Sequence, residues 1–553
     1  MGVISDFTTL LTPLGQVLSV KYLLLAIPAL ALAALLVYTV IDYSHVLYLR
    51  RRMPPGPFPL PLVGNHFHIP TYKPWEYFMR MSKVYNSDML TYWNGNRPIL
   101  VCNSVEVASD LMEKRAAIYS SRPRFVMLGD AIGQTGKNQV VLEYGDQWRD
   151  HRRLFHTAVG TQAIRAHRSF QSNESKVLIR DIMLDNLDYV MAIERYSCSV
   201  ASIVGWGRRI DRMNDYVAKV ALMFMENVDM VLPGVYLMDP LPILRFTPKW
   251  IWSFPHRILE GTNHMARYFY ALTEEAANNP KKEGDDIFAK RMIKTQKELG
   301  MDNYELAGMM GNLIGGGVDT TTSTIVSFIM AMCVFPEAQK KAHEELDRVV
   351  GRDRSPDWTD LDSNSLPYVA AVVKETLRWR SVTVLGGPPH APIRDDEYKG
   401  YLIPKGTSVT GNLWAIHHDP KCFPQPDLFE PGRFFDDHSL HRPYPTRQGH
   451  NAFGWGRRVC SGQPLAEQGL LAVIARMLWT FDFKPGLDEN GKEIKLDIFS
   501  YSNTQNMRAL PFKARFIPRT PGIRDLVIKE AMKAREDLRI YDGESSLTLE
   551  KVP

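Results

Sequence analysis

The segment that decides the fold runs from Asn451 to Gly462 and reads NAFGWGRRVCSG. Two glycines ahead of the cysteine allow a tight turn in which backbone N–H groups face the sulfur of Cys460. From Leu465 onward, apolar residues recur at helical spacing, so Cys460 is predicted to lie just before a helix. The helix dipole and the neighbouring arginines would favour a thiolate. A lone thiolate suits metal ligation, and a structural cysteine is the alternative.

The cysteine pattern and the charge exclude several classes of protein. The five cysteines are odd in number, widely spaced and without a C-x-x-C pair, which argues against a disulfide scaffold and a multi-cysteine zinc site. The net charge of +5 does not indicate a nucleic-acid binder. Hydrophobic residues at 45% and charged residues at 23% are typical of a folded globular chain. The cysteines other than Cys460 need no role beyond packing: Cys102, Cys198, Cys333 and Cys422.

The amino end has the composition of a membrane anchor. No charged residue occurs from Tyr22 to Ile41, and a helix of this length spans about 30 Å, the thickness of a bilayer's hydrocarbon core. Three arginines at positions 50–52 follow this stretch, whereas only Lys21 directly precedes it. The positive-inside rule therefore predicts a single-pass anchor with the rest of the chain in the cytosol. A buried core helix is the alternative.

The remainder divides into a body and a tail. A proline-rich break at residues 54–57 separates the anchor, residues 1–53, from a body predicted to be one domain over residues 54–518. Helical patterns dominate this body. Strand-like runs occur at 89–93 and 98–102, separated by an Asn-Gly-Asn turn, and again near 398–403, 408–412 and 509–516. The predicted fold class is mainly α with smaller β-sheets (α+β), followed by a charged tail over residues 519–553.

A long predicted helix from Glu305 to Pro336 contains an unfavourable run, GGGVDTTT, at residues 315–322. Three interior glycines cost about 3 kcal/mol relative to alanine. Packing alone does not favour such a run. A functional reason is therefore expected near Asp319 and Thr320.

Two motifs together resemble the cytochrome P450 superfamily. The cysteine segment has the form F-x-x-G-x-R-x-C-x-G, and the helix run has the form G-G-x-D-T-T. The resemblance implies the P450 fold and haem b with Cys460 as the axial thiolate ligand of its iron. It places these residues of the cysteine motif around the cofactor: Phe453, Gly456, Arg458, Cys460 and Gly462.

The same resemblance assigns roles to the helix run. The helix is expected to open locally over the haem and to form a groove for dioxygen. Asp319 and Thr320 would relay protons during oxygen activation, which is a general-acid role.

Further motifs follow in the order that the family shows. An E-x-x-R motif places Glu375 and Arg378 on one helix face, where they can pair. The resemblance adds Arg433 to them in a buried, structural charge network. It also implies four partners for the haem propionates, and for the last of these a purely structural histidine is the alternative: Trp148, Arg152, Arg458 and His390.

The substrate side is expected from the same family pattern. Four residues are candidates to line the substrate channel, with ordinary core packing as the alternative for each: Leu313, Val384, Leu385 and Tyr501. An apolar stretch is predicted to dip into the membrane and to admit lipophilic substrates, with core burial as its alternative: Trp250, Ile251, Trp252 and Phe254.

The resulting hypothesis is a haem-thiolate monooxygenase anchored in the endoplasmic reticulum membrane. It would insert one oxygen atom of O₂ into a hydrophobic small molecule, with electrons from NADPH through a separate flavoprotein reductase attracted by Arg149, Arg153 and Arg457. Segments such as residues 398–406 look like those of fungal enzymes of secondary metabolism. The alternatives are a haem-thiolate isomerase or dehydratase, and a non-catalytic membrane haem carrier or sensor.

Overall fold

The computed structural model describes residues 13–231, 234–280, 287–362, 364–434, 449–504 and 506–552. These residues form a mainly helical body with small sheets, which confirms the predicted fold class. The helices up to the centre of the chain are α1 Pro13–Arg50, α2 Pro74–Val84, α3 Val105–Ser109, α4 Ala116–Tyr119, α5 Asp146–Val159, α6 Ile164–Leu184, α7 Tyr189–Trp206, α8 Tyr216–Met230, α9 Phe254–Ala277 and α10 Phe288–Leu299.

The second half of the chain supplies the central helix and the helices around the cysteine segment. Its helices are α11 Asn303–Val334, α12 Pro336–Val349, α13 Trp358–Asp362, α14 Pro367–Trp379, α15 Leu413–His417, α16 Gln463–Thr480 and α17 Pro521–Asp537. Short 3₁₀ turns lie at Pro242–Phe246, Pro431–Phe434, Gly456–Arg458 and Leu538–Tyr541, and π-helical turns at Asp110–Lys114 and Val126–Ala131.

Three small sheets are present among the described residues. Strands β1 Met89–Asn94 and β2 Arg97–Cys102 form the predicted hairpin, in which Gly95 takes a left-handed conformation at φ 63°. The strands β3 Asp396–Tyr398 and β4 Tyr401–Ile403 pair with each other, and β5 Ser408–Gly411 joins β2 in parallel. The last pair is β6 Phe481–Pro485 with β7 Ala514–Pro518.

Helix α11 runs through the centre of the body. It packs against α7, α8 and α9 on one side and against α14 and α16 on the other. Its buried apolar residues, such as Ile325 and Phe328, belong to the main hydrophobic core. The most apolar window of this helix is 72% buried inside the protein. Its length and apolar composition therefore fit a core helix.

The amino-terminal helix is different. Its stretch Ala26–Arg50 is apolar and long enough to cross a membrane, and none of its most apolar window is buried. It is therefore a candidate anchor, in agreement with the sequence.

Residues 521–552 pack onto the body. Helix α17 lies against α6, and Ile523, Val527 and Ala534 belong to the same core as α11. Beyond it, Leu549 N donates a hydrogen bond of 3.0 Å to the Tyr216 hydroxyl of α8. The sequence predicts a charged tail here, but the apolar residues of this segment are buried against the body.

Candidate functional site

A cavity of about 380 Å³ lies beneath α11 and beside the cysteine segment. Its wall is formed by α5, α7, α11, the stretch after α14 and the segment leading to α16. Cys460 lies in this wall: its side chain is open to the cavity, and the surrounding protein encloses both. The residues predicted around a cofactor are brought together here, since all but Gly456 line the cavity: Trp148, Arg152, His390, Phe453, Arg458, Cys460 and Gly462.

The backbone conformation of the cysteine segment explains why glycine occurs at positions 454 and 456. Gly454 and Gly456 have φ values of 80° and 57°, in the left-handed region that favours glycine. A Cβ on Gly456 would lie 2.2 Å from the carbonyl oxygen of Met112, so this glycine allows a close backbone approach. Cys460 N donates a hydrogen bond of 2.9 Å to Phe453 O, which closes the loop just before α16. Gly456 therefore shapes the loop from outside the cavity.

The electrostatics of Cys460 differ from the sequence expectation. Burial raises the pKa of the thiol, and the backbone N–H groups of Gly462 and Gln463 together with the Arg152 charge only partly oppose that rise. The expected stabilisation of the thiolate is therefore present but outweighed by burial. A bound metal ion deprotonates a ligating thiol outright, so ligation is the condition under which this sulfur is a thiolate.

A cluster of cations lines one rim of the cavity, and it includes residues next to the cysteine. Arg152 donates to Val459 O at 2.6 Å and Ser461 Oγ at 2.7 Å, and Arg458 donates to Ser120 O at 2.7 Å and stacks on Trp148 at 4.3 Å. Burial and the charges of Arg122 and Arg152 lower the pKa of Arg458 to about 8. Hydrogen bonds to backbone carbonyls thus hold the guanidinium groups in place without neutralising them.

Arg122 is a member of this cluster that the sequence analysis missed. It lines the cavity and donates to Val140 O, Pro388 O and Pro389 O at 3.0, 2.6 and 3.0 Å. Burial lowers its pKa to about 9. Its partners lie up to 267 residues away in the chain, so no local sequence signal points to it.

His390 completes the rim. Its Nδ1 donates to Tyr119 O at 2.9 Å, and burial together with the charges of Arg122 and Arg458 lowers its pKa to about 3. Within the described part of the chain, no carboxylate forms an ion pair with Arg122, Arg152 or Arg458. Buried charges without a counter-ion are costly, so this rim fits a ligand with anionic groups, as the two propionates of haem are.

Helix α11 forms the roof above Cys460. Thr320 lines the cavity, and its hydroxyl donates to Gly316 O at 2.6 Å. The helix continues without interruption from Asn303 to Val334, so the expected local opening is not present as a break in the helix. Thr320 reaches the cavity from an intact helix.

The three glycines of α11 have different surroundings. A Cβ on Gly315 would approach Met225 Sδ to 2.7 Å and Phe224 to 2.9 Å, so this glycine admits helix α8. Gly316 has open space around it and lines the cavity, and Gly317 lines the cavity beside Ala201. Part of the glycine run is therefore explained by packing, contrary to the expectation that packing does not favour it.

Asp319 does not line the cavity. Burial raises the pKa of its carboxyl group, opposed by a hydrogen bond from Asn506 and the charge of Arg508, and its Oδ2 is buried without a hydrogen-bond partner. The structure thus separates the two predicted proton-relay residues, with Thr320 on the wall and Asp319 beside it.

The E-x-x-R residues form a buried network behind the cavity. Arg378 donates to both carboxylate oxygens of Glu375, at 2.8 and 2.7 Å, and both side chains are fully buried. Arg433 Nε lies 3.5 Å from Glu375 Oε1, as the resemblance implies. The remaining Arg378 N–H groups donate to the carbonyl oxygens of His417, Pro426 and Leu428. The network therefore holds irregular backbone in place.

Of the four substrate candidates, only Leu313 lines the cavity. Val384 is buried in the main core and Leu385 packs at its edge, while Val382, Thr383 and Gly386 form the wall instead. Tyr501 is also buried away from the cavity, and its hydroxyl donates to Ser327 Oγ at 3.2 Å. A substrate contact for Val384, Leu385 and Tyr501 is not supported by this geometry.

The apolar stretch before α9 is divided in the structure. Trp250 and Ile251 are 85% and 59% exposed, whereas Trp252 and Phe254 pack against a small core cluster with Ile258. Of the four residues predicted to contact the membrane, Trp250 and Ile251 lie at the surface, whereas Trp252 and Phe254 are partly buried.

Comparisons with known proteins agree with this geometry. A family model described as cytochrome P450 matches residues 54–505. Cytochrome P450 monooxygenase 105 of Postia placenta is 33% identical over 514 residues, which cover 91% of this chain and 95% of that protein. A cytochrome P450 monooxygenase of Armillaria gallica is 32% identical, covering 89% of this chain and 95% of the relative.

Proposed function

We propose that this chain, which belongs to the cytochrome P450 family and is a monooxygenase, inserts one oxygen atom of O₂ into a hydrophobic small molecule. Cys460 would hold the iron of haem b. The observation that carries the proposal is that a lone cysteine and a rim of unneutralised cations line the same cavity. Haem presents an iron at its centre and two carboxylates at its edge, and the cavity offers a partner for each.

The residues present fit this cofactor. When bound, the haem iron with a thiolate ligand supplies the activation of dioxygen. Cys460 would hold the iron, and the backbone N–H groups of Gly462 and Gln463 would stabilise charge on its sulfur. Four cationic or polar side chains would hold the propionates, with Trp148 as the surface on which Arg458 stacks: Arg122, Arg152, His390 and Arg458.

Proton delivery is assigned to the roof. The Thr320 hydroxyl faces the cavity and already donates to Gly316 O, so it can hold a proton donor or water at that surface. Asp319 lies one position further back, and burial raises its pKa, which favours the protonated form that a general acid requires. Asp319 would resupply the proton that passes through Thr320.

The cavity favours an apolar substrate. Away from the cationic rim its wall is formed largely by aliphatic side chains, among them Val200, Ala201, Leu313 and Val382. Transfer of apolar surface from water into such a cavity is favourable. A lipophilic molecule fits this wall, and the fungal origin of the relatives supports a role in fungal secondary metabolism.

The surface supports a membrane-bound enzyme with a separate reductase. The α1 stretch Ala26–Arg50 would anchor the chain in the endoplasmic reticulum membrane, with exposed Trp250 and Ile251 as a second lipid contact. On the cysteine side, Arg149 and Arg457 flank Tyr144 at 5.6 and 5.1 Å, and Arg153 is 76% exposed nearby on α5. Arg149 and Arg153 pair with Asp146 and Asp150, which reduces the positive charge of this face. Arg457 would therefore contribute most to the attraction of an acidic flavoprotein that transfers electrons from NADPH.

Product analysis with labelled oxygen tests the proposal. The full chain is combined with an NADPH-dependent reductase in vesicles and given a panel of lipophilic compounds under ¹⁸O₂. We expect one labelled atom in the product and NADPH consumption that depends on the substrate. A rearranged product without label or NADPH consumption would instead indicate an isomerase or dehydratase, and haem binding without any product would indicate a carrier.

A further inference from the structure

Two adjacent histidines at the end of α15, the buried His417 and the partly buried His418, have different partners. His417 is 1% exposed and touches the segment that leads to Cys460. The His418 ring stacks on Trp414 with 4.0 Å between ring centroids, and it interacts with Arg380 and Asp427. Within the described residues, no hydrogen bond joins His418 to the cysteine segment.

The hydrogen bonds of His417 fix its tautomer. The backbone N–H of Asn451 donates to His417 Nε2 at 3.0 Å, so Nε2 is an acceptor. The Ser381 hydroxyl donates to Leu377 O at 2.6 Å, which leaves its oxygen as the acceptor for His417 Nδ1–H at 2.8 Å. Both ring nitrogens are therefore used by a neutral imidazole. Burial holds the pKa of His417 well below its ordinary range, which agrees with that state.

This ring connects the buried charge network to the cysteine loop. Leu377 and Ser381 belong to α14 and the turn after it, and Arg378 of the same helix donates to the His417 carbonyl oxygen at 2.9 Å. On the other side, Asn451 O accepts from Gly454 N, and Phe453 O accepts from Cys460 N, both at 2.9 Å. His417 therefore links the two parts of the structure: its carbonyl group accepts from Arg378 of the charge network, and its ring accepts from the backbone of the cysteine segment.

We propose that His417 is a positioning residue that sets the start of the cysteine loop and thereby the place of the Cys460 sulfur. The proposal rests on the role of Cys460 under the proposed function. Asn451 is 5% exposed, so loss of the imidazole would leave its N–H as a buried donor without its acceptor, which is unfavourable. Loss of Nε2 would therefore release the loop even though the fold around α14 remains.

The test compares His417→Leu with His417→Gln in the full-length haem-loaded protein, with His418→Leu as the matched control. A glutamine oxygen can accept from the Asn451 N–H, whereas leucine cannot. Two readouts are used: hydrogen exchange of the peptide that covers residues 449–460, and the fraction of thiolate-type carbon-monoxide complex at equal haem content.

We expect His417→Leu to accelerate exchange in that peptide by about tenfold, as for a buried donor left unpaired, and to lower the thiolate fraction. His417→Gln should retain most of both properties, and His418→Leu should leave both unchanged while lowering thermal stability. Equal effects of His417→Leu and His418→Leu would overturn the proposal, as would a glutamine variant as impaired as the leucine variant.

A milder variant keeps the proposal falsifiable if His417→Leu does not fold. Ser381→Ala removes the acceptor of Nδ1–H and frees the ring to turn, so exchange at residues 449–460 should rise by a smaller factor. Unchanged exchange in Ser381→Ala would contradict the proposed chain of hydrogen bonds. Failure of the proposed function would appear differently, as a wild-type protein without any thiolate-type complex.

Discussion

The two sides of the cavity are built on different principles. Behind the cysteine, Glu375, Arg378 and His417 form a buried polar network in which each donor has a defined acceptor. Above it, the roof is formed by aliphatic residues and glycines on α7 and α11, with a few polar groups such as the hydroxyls of Thr320 and Thr324. Polar networks specify residue identity, because a wrong partner leaves a buried group unpaired. Apolar walls specify only volume and shape. This difference explains why the aliphatic positions of the roof carry no motif: on that side only the G-G-x-D-T-T run of α11 stands out in the sequence, whereas the cysteine segment and E-x-x-R mark the first side.

Removal of one charge from the network should have the largest effect. Arg378→Leu leaves the fully buried Glu375 carboxylate with the Glu430 N–H at 2.9 Å and Arg433 Nε at 3.5 Å, without its bidentate partner. Loss of one member of a buried ion pair costs about 3–5 kcal/mol. Denaturant unfolding of the haem-loaded protein measures this loss.

The matched control for Arg378→Leu is Glu260→Gln, which breaks the exposed pair between Lys249 and Glu260. We expect no measurable loss of stability there. An Arg378→Leu protein as stable as the control would remove the distinction between the two sides of the cavity.

The roof is tested next through its hydroxyl groups. Thr320→Ala removes the hydroxyl that lines the cavity, so substrate oxidation should fall roughly 10²–10³-fold while haem content stays unchanged. Thr324 is the control, since it also lines the cavity but its hydroxyl donates to Thr320 O at 2.8 Å. Equal losses in Thr320→Ala and Thr324→Ala would show that the roof contributes shape only.

The proposed role of Asp319 as a proton donor predicts how turnover changes with pH. Burial raises the pKa of its carboxyl group, so the protonated form persists to higher pH than for an ordinary aspartate. A proton donor is lost as pH rises through its pKa, so turnover should fall on the alkaline side of that raised value. In Asp319→Asn this decline should be absent and the maximal rate roughly 10²-fold lower. An unchanged pH–rate profile in Asp319→Asn would exclude Asp319 from proton delivery.

The smallest effect concerns the substrate wall. Leu313→Ala enlarges the cavity and should weaken binding of phenylimidazole by on the order of 1 kcal/mol, as measured by spectral titration. The Tyr501 hydroxyl contacts Ser327 outside the cavity, so the dissociation constant of phenylimidazole should be the same in Tyr501→Phe as in the wild type. A larger change in the dissociation constant for Tyr501→Phe than for Leu313→Ala would contradict the assignment of Leu313, and not Tyr501, to the cavity wall.

The sequence predicts much of the fold and the cysteine side. The hairpin at Gly95, the long helix α11 and the cysteine ahead of α16 are local features, because turn glycines and helical periodicity act over a few residues. The packing of α17 against α6 is a tertiary contact, and the charged sequence of residues 519–553 does not indicate it.

The rest depends on contacts between distant segments. Arg122 reaches the cavity because carbonyl groups from residues 140, 388 and 389 hold it there. Adjacent residues on a helix lie about 100° apart, and a motif does not show which of its positions reach the cavity: Thr320 and Thr321 both line it, whereas Asp319 does not. In the irregular stretch after α14, Thr383 and Gly386 face the cavity while Val384 and Leu385 do not, and no periodicity predicts that choice.

The carbon-monoxide difference spectrum of the reduced protein tests the central claim most directly. The wild-type chain should show the red-shifted absorption band of a thiolate-ligated haem, and Cys460→Ala should lose that band. A wild-type band typical of a neutral nitrogen ligand, or a thiolate-type band that persists in Cys460→Ala, would contradict the assignment of Cys460 as the ligand.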